Sequence, residues 1–354
     1  MIYLKLILAT VVWGLTPSIN KILSHYDSPF LITFFRFFFA AFIFFFFLKT
    51  LGKKIIVGKS NLLLFLGALF FWSATWSIIG LTQVNIDLDP TVSVFIRFII
   101  AGLIILIFVA LTKRQLIFSI KEHVYFFILG IFLYSGNYIF FYQSNVYLPS
   151  NIPATVFCLL TIFNILGEKF MFKKPLTALT LSGALMGICG IGIIFYDDFV
   201  NFDLNSGTTL GLMFALLATI SASLGNMIAI YNKRNFNIPL LQNVAFSMIY
   251  GSLIALVVAL MKGKEFVIPI QNLSYMLGLG YLIIFGSIVS FLCYIKFIEN
   301  TSASTGGYIG VIMPILALII SMIFEDVKPD INFLTGLVVA IGGLLLILKQ
   351  ETKK

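Results

Sequence analysis

The sequence predicts an all-α polytopic membrane protein: an inverted repeat of two five-helix units plus an N-terminal helix pair, about twelve transmembrane helices, with ten as the alternative count. Three observations predict it. Hydrophobic residues make up 60% of the 354 residues and charged ones 10%, with 39 Phe, which is not the composition of a soluble domain. Apolar runs of about 20 residues, the length of one bilayer crossing, recur along the whole chain. Landmarks also recur about 150 residues apart: Pro90 with Pro239, Tyr125, Gly130 and Gly136 with Tyr275, Gly280 and Gly286, and Leu181-Ser182-Gly183 with Leu334-Thr335-Gly336.

Taken in order, the runs are 2–23, 29–48, 62–84, 91–111, 124–147, 153–172, 176–195, 210–231, 240–261, 273–297, 302–324 and 331–348. The first carries Lys5 like a signal peptide, but it is about 22 residues long and has no small-residue cleavage site, so it is expected to remain in the mature protein. The sixth, which carries Asn164 and Gly167-Glu168, is the weakest of the twelve as a crossing. The repeat divides the chain into 1–60, an N-terminal transmembrane helix pair, and two five-helix units, 61–200 and 201–354. Because five is odd, the second unit enters the membrane inverted relative to the first. Repeats of that kind rock about a site near the bilayer midplane in secondary transporters.

Loop charge orients the chain. Loops after even-numbered helices, with the tail, hold fifteen Lys or Arg: Lys49, Lys53, Lys54, Lys59, Lys113, Arg114, Lys121, Lys169, Lys173, Lys174, Lys233, Arg234, Lys349, Lys353 and Lys354. Loops after odd-numbered helices hold Lys262, Lys264 and Lys328. The positive-inside rule then places both termini in the cytoplasm, with the protein multi-pass in the cytoplasmic membrane. The same asymmetry accounts for the formal charge of +9 without nucleic acid as a partner. Cys158, Cys189 and Cys293 lie within apolar runs and form no CxxC pair, so they read as apolar residues rather than disulfides or metal ligands. With no HExxH, GxSxG or phosphate loop, no cofactor, metal site or catalytic residue is expected.

Two stretches echo one another. Trp13-Gly14-Leu15-Thr16-Pro17, then Asp27-Ser28-Pro29 and Arg36, is answered by Trp72-Ser73-Ala74-Thr75-Trp76, then Leu88-Asp89-Pro90 and Arg97. Each arginine follows its proline by seven residues. Such a charge about two turns into hydrocarbon costs on the order of 2.5–3.5 kcal/mol on insertion scales, so it faces protein or water. Either it adds positive potential to the outer mouth of a substrate path, or it snorkels to Asp89 or Asp27. Tyr134, Asn137, Tyr138, Phe141 and Asn145 form one stripe at spacings of three and four, which either lines a cavity or hydrogen-bonds a neighbouring helix. Ala215, Ala218, Ala222, Gly225 and Ala229 form a small-residue stripe suited to close packing, with Asn226 beside it. Gly306-Gly307-Tyr308 precede Pro314, whose missing amide hydrogen leaves a carbonyl free. The many Phe read as lipid-facing, and the terminal Tyr and Trp as interface anchors.

Trp-Gly opening a helix, Pro followed by Arg in the next, a helix ending in Glu and a Gly-containing helix after it resemble the EamA family of the drug/metabolite transporter superfamily. The resemblance covers about 62–348, with Trp72, Pro90, Arg97, Glu168 and Gly183 in the first unit and Pro239, Pro314, Glu325 and Gly336 in the second. It implies a carrier of small organic metabolites, often amino acids or their derivatives. Three departures stand out: Trp13-Gly14 lies upstream of the repeat, the sixth helix lacks a mid-helix Pro, and the second unit has no Trp-Gly.

The expected function is a secondary active transporter moving a small organic metabolite by alternating access, coupled to a proton or counter-solute and surrounded by membrane lipid. A lipid or lipid-linked-sugar flippase is the alternative, and an intramembrane enzyme a more distant one. The expected substrate-path residues are Trp72, Arg97, Tyr134, Asn137, Tyr138, Asn226, Tyr308 and Pro314, with Trp13 and Arg36 as secondary candidates.

Overall fold

A computed structural model describes residues 59–79, 82–83, 88–149, 151–175, 177–194, 196, 207–264, 266, 268–306, 309 and 330–351. The first two expected helices, with Trp13 and Arg36, and most of the eleventh, with Tyr308 and Pro314, lie outside the described residues. The regular elements among the described residues are all helices, with no strand among them. Helix α1 spans Lys59–Ile79, and α2 spans Pro90–Leu111. Asp89 caps α2 by accepting the Thr91 amide at 2.8 Å, and Pro90 at the first helical position gives up an amide that would have had no partner.

Helix α3, Ile120–Tyr147, begins a turn before the expected 124. Ser119 and Glu122 form a reciprocal capping box there, which fixes the start ahead of the apolar run. Within α3, a π-helical turn at Gly130–Gly136 interrupts the α-helical geometry. Helix α4 corrects the expected sixth crossing: it is built from Asn151–Val156, a 3₁₀ turn at Phe157–Leu159, and Leu160–Phe172. It stops at Lys173, whose left-handed φ of 56° cannot propagate a right-handed helix. Helix α5 is Ala178–Ile194, and α6 is Gly207–Phe236. Helix α7 is Leu240–Met261, and α8 is Leu273–Asn300 with its own π turn at Ile284–Val289. A short turn, α9, covers Ala303–Gly306, and α10 spans Ile331–Glu351.

Helices α2, α3, α6, α7 and α8 are long and apolar enough to cross a membrane, and shorter apolar stretches lie at Leu63–Thr75, Leu181–Ile194 and Ile331–Gly343. The helices pack in recurring pairs: α5 on α10, α2 on α7, α3 on α6, and α1 on α8. Small residues allow the close approaches. A β-carbon on Gly130 would stand 2.7 Å from the Gly251 amide nitrogen, and one on Gly225 2.7 Å from the Leu133 β-carbon. The core runs through α1, α2, α3, α6, α7 and α8, with Phe98, Phe126, Tyr134, Phe291 and Phe297 among its largest buried side chains. The reading of phenylalanine as chiefly lipid-facing is therefore corrected for these positions, which fill gaps between helices.

Candidate functional site

The two π turns build one wall of the site. A π turn displaces carbonyls from the regular ladder and leaves them for other donors. In α3, Ser221 Oγ of α6 donates to the Phe132 carbonyl at 2.7 Å. In α8, Ser290 Oγ donates to the Phe285 carbonyl at 2.6 Å. The next carbonyl, that of Gly286, accepts the Trp72 indole N–H at 3.1 Å and Arg97 Nη2 at 3.0 Å. One carbonyl thus holds α1, α2 and α8 together.

Beside this junction lies a cavity. Trp72 and Thr75 of α1, Leu133, Asn137, Tyr138 and Phe141 of α3, and Phe157 and Leu160 of α4 line it. Ala222 and Asn226 of α6 and Phe291 and Tyr294 of α8 complete the lining. The empty space these residues bound, open mouth included, is about 500 Å³. Ring packing shapes the walls: Trp72 lies 5.0 Å from Phe291 and 4.8 Å from Tyr294 between centroids. Tyr134 stands 4.8 Å from Phe291.

The polar groups divide into two kinds. Asn137 Nδ2 donates within its own helix to the Leu133 carbonyl at 3.4 Å, and Thr75 Oγ1 to the Phe71 carbonyl at 3.0 Å. Of the α3 stripe, Asn137, Tyr138 and Phe141 line the cavity while Tyr134 and Asn145 do not, and Asn145, like Asn137, donates within its own helix, to the Phe141 carbonyl at 3.0 Å. Asn226 instead crosses between helices, donating to the Tyr294 hydroxyl at 2.9 Å and to Asn164 Oδ1 at 3.3 Å. Asn164 Nδ2 donates to the Ala303 carbonyl at 3.2 Å. The Ala303 amide donates to Glu168 Oε1 at 3.1 Å, and Lys174 pairs with Glu168 Oε2 at 2.6 Å. A continuous polar chain so runs from the cavity to the C-terminal end of α4.

Of the expected substrate-path residues, Trp72, Asn137, Tyr138 and Asn226 meet at this cavity. Tyr134 is fully buried behind it. Arg97, 0% exposed, lies behind Tyr138 with its guanidinium 4.6 Å from that ring centroid. The snorkelling alternative is overturned for Arg97. Its Nε donates to Ser287 Oγ at 2.7 Å, while Asp89 takes Lys264 at 3.6 Å. Sequence reasoning missed Phe157, Phe291, Tyr294 and the role of Asn164. A signal for the α8 residues existed: Ser287, Ser290, Phe291 and Tyr294 repeat the spacing of Tyr134, Asn137, Tyr138 and Phe141.

Comparison with known proteins fits this arrangement. The EamA-like transporter family matches the chain twice, over residues 59–196 and 209–349. An uncharacterized transporter of Clostridium kluyveri is 25% identical over 73% of this chain and 83% of its own length. The uncharacterized inner membrane transporter YedA of Escherichia coli K12 is 24% identical over 73% and 82%. The uncharacterized transporter YetK of Bacillus subtilis is 24% identical over 71% and 76%. A solved crystal structure superposes with a TM-score of 0.60 at 15% identity, covering 83% of this chain and 98% of that one, a likeness of fold. The chain belongs to the EamA-like transporter family.

Proposed function

We propose that the protein is a secondary active transporter that moves a small organic metabolite, such as an amino acid or a derivative, across the cytoplasmic membrane by alternating access. The cavity carries this reading. Its walls come from α1, α3 and α4 of one family-matched segment and from α6 and α8 of the other. Rigid-body motion between the segments would therefore open and close it. The pairings α3 with α6 and α8 with α1 exchange when the segments are exchanged, which supports an inverted repeat with units near 61–200 and 201–354 after a helix pair at 1–60. Trp72, Asn137, Tyr138 and Asn226 act as substrate contacts, with Tyr134 buttressing the ring wall. Tyr308 and Pro314, and secondarily Trp13 and Arg36, remain assigned to the path from the sequence. A proton or counter-solute gradient drives the cycle, and loop charge places both termini in the cytoplasm.

The test compares metabolites inside cells that produce the protein with those in cells that produce Asn226→Ala at equal membrane abundance. A water-soluble metabolite whose level depends on the intact protein is the expected result. Movement of a labelled lipid in its place would establish the flippase. No difference in either would end the transport reading.

A further inference from the structure

Helix α4 carries a seam along one edge. Asn164, Glu168 and Phe172 follow one another at intervals of four, so they share a face, and each reaches the second family-matched segment. Asn164 Oδ1 accepts from Asn226 of α6, and its Nδ2 donates to the Ala303 carbonyl. Glu168 Oε1 accepts the amide of that same Ala303 at 3.1 Å. The Phe172 ring lies under the Arg234 guanidinium of α6 at 4.7 Å. Two side chains of α4 thus grip both backbone polar groups of Ala303 across the boundary between the segments.

The seam runs from the cavity to water. Asn226 lines the cavity, Asn164 and Glu168 are buried, and the Lys174 side chain beyond them is 39% exposed. Packing closes the space between: a β-carbon on Gly167 would stand 2.9 Å from Met227 Cγ. The left-handed turn at Lys173 swings Lys174 back onto Glu168 at 2.6 Å, which gives the buried carboxylate the counter-charge it needs. Polar bonds of this kind can be traded for bonds to water when helices part. The contact of Gly190 with Gly336 has no such substitute, because backbone is fitted to backbone there. Lys169, Lys173 and Lys174 flank this end of α4, and by the loop-charge reading it is cytoplasmic.

We propose that Glu168, held by Lys174 and clasped to Ala303, is the latch of a cytoplasmic gate. With the clasp made, the cavity is shut off from the cytoplasm; its release lets α4 part from α6 and from Ala303 and opens the cavity to that side. Asn164 and Asn226 tie the latch to the cavity, so a solute that draws the Asn226 amide away from Asn164 loosens the clasp from within. The purpose of the gate rests on the transport reading, whereas the closure does not.

The experiment places one cysteine in the cavity, Ala222→Cys, in the full-length protein with Cys158, Cys189 and Cys293 replaced by alanine. Its rate of reaction with a membrane-impermeant maleimide is measured from the cytoplasmic side in inside-out vesicles and from the outer side in right-side-out vesicles. Glu168→Ala should raise the cytoplasmic rate about tenfold and leave the outer rate no higher. Glu168→Gln keeps an acceptor for Ala303 but loses the charge, so about threefold is expected. Unchanged rates overturn the latch, and so does a rise from the outer side alone. A rise from both sides alike also overturns it, because Glu168 then only holds the fold together. If Glu168→Ala fails to fold, Glu168→Gln decides. Labelling needs no solute, so the latch can fail while metabolite transport persists and can hold in a protein that moves no metabolite.

Discussion

The contact between α5 and α10 and the cavity at α1, α3, α6 and α8 are built from opposite materials. Along the first, backbone meets backbone. A β-carbon on Gly190 would stand 2.5 Å from the Ala340 amide nitrogen, one on Gly336 2.5 Å from the Gly190 carbonyl, and one on Gly343 2.5 Å from the Gly183 carbonyl. Around the second, large rings meet at centroid distances such as 4.8 and 5.0 Å, and flat rings cannot fill a volume that amides also enter. Within a membrane, helices gain little from apolar burial against one another, so close backbone contact holds them. The two family-matched segments are thus fastened along α5 and α10 and enclose open space where α1, α3, α4, α6 and α8 converge.

The largest expected effect breaks the fastening. Gly336→Leu places a branched side chain where a single carbon already collides with backbone, so a loss at or above the upper end of the about 1–3 kcal/mol for overpacking is expected. Folded yield after detergent extraction should fall sharply; normal yield with altered substrate selectivity would move α10 from scaffold to site. Next comes the polar wall. Asn226→Ala strips the Tyr294 hydroxyl and Asn164 of a shared donor, which should cost about 1–3 kcal/mol. Substrate flux should fall about tenfold at matched abundance, since 1.4 kcal/mol is one decade. Tyr294→Phe removes part of the same network, so the double variant should lose less than the sum of the singles. Additive losses would show that the two side chains act separately.

Trp72→Phe is expected to be milder. It removes one donor from the Gly286 carbonyl, which keeps Arg97, for about 1 kcal/mol in unfolding, with a change in apparent substrate affinity because the ring lines the cavity. Unchanged affinity would take Trp72 out of the substrate path. The smallest effect lies at the cap of α2. Burial pushes the Asp89 carboxyl up, but the Thr91 hydrogen bonds and the charges of Lys262 and Lys264 outweigh it and hold it below the ordinary carboxylate value. A lowered folded value means that the ionised form favours folding. Its contribution is therefore complete above about pH 4, the free aspartate value, and lost as pH falls through the lowered one. Asp89→Asn should flatten that acid limb of the Tm profile; an identical limb in both proteins would assign the acid sensitivity elsewhere.

Much was legible in the sequence because the bilayer imposes length and polarity on every crossing. The bounds of α7 fall where the apolar run 240–261 places them, and the repeat landmarks Gly183 and Gly336 fall, with Gly190 and Gly343, at one close interface. The α3 stripe was visible from its spacing, and so were Trp72 and Asn226 as residues in need of an explanation. The break in α4 at Phe157–Leu159 was not, since a 3₁₀ turn changes backbone hydrogen bonding without changing hydropathy. Nor were the π turns, which place Gly286 under both Trp72 and Arg97.

The sequence by itself determined that the chain is helical and membrane-embedded, that it carries related units, and that Arg97 needs a destination. Composition and run length decide the first two, and the cost of a charge in hydrocarbon decides the third. Only the tertiary structure decided what that destination is. Ser287 lies 190 positions from Arg97 and Tyr294 lies 68 from Asn226, and no local periodicity encodes such partners. They meet because helix packing brings segments distant in sequence together, and because the π turn of α8 presents the Gly286 carbonyl to Trp72 and Arg97, a change of backbone hydrogen bonding that hydropathy does not record.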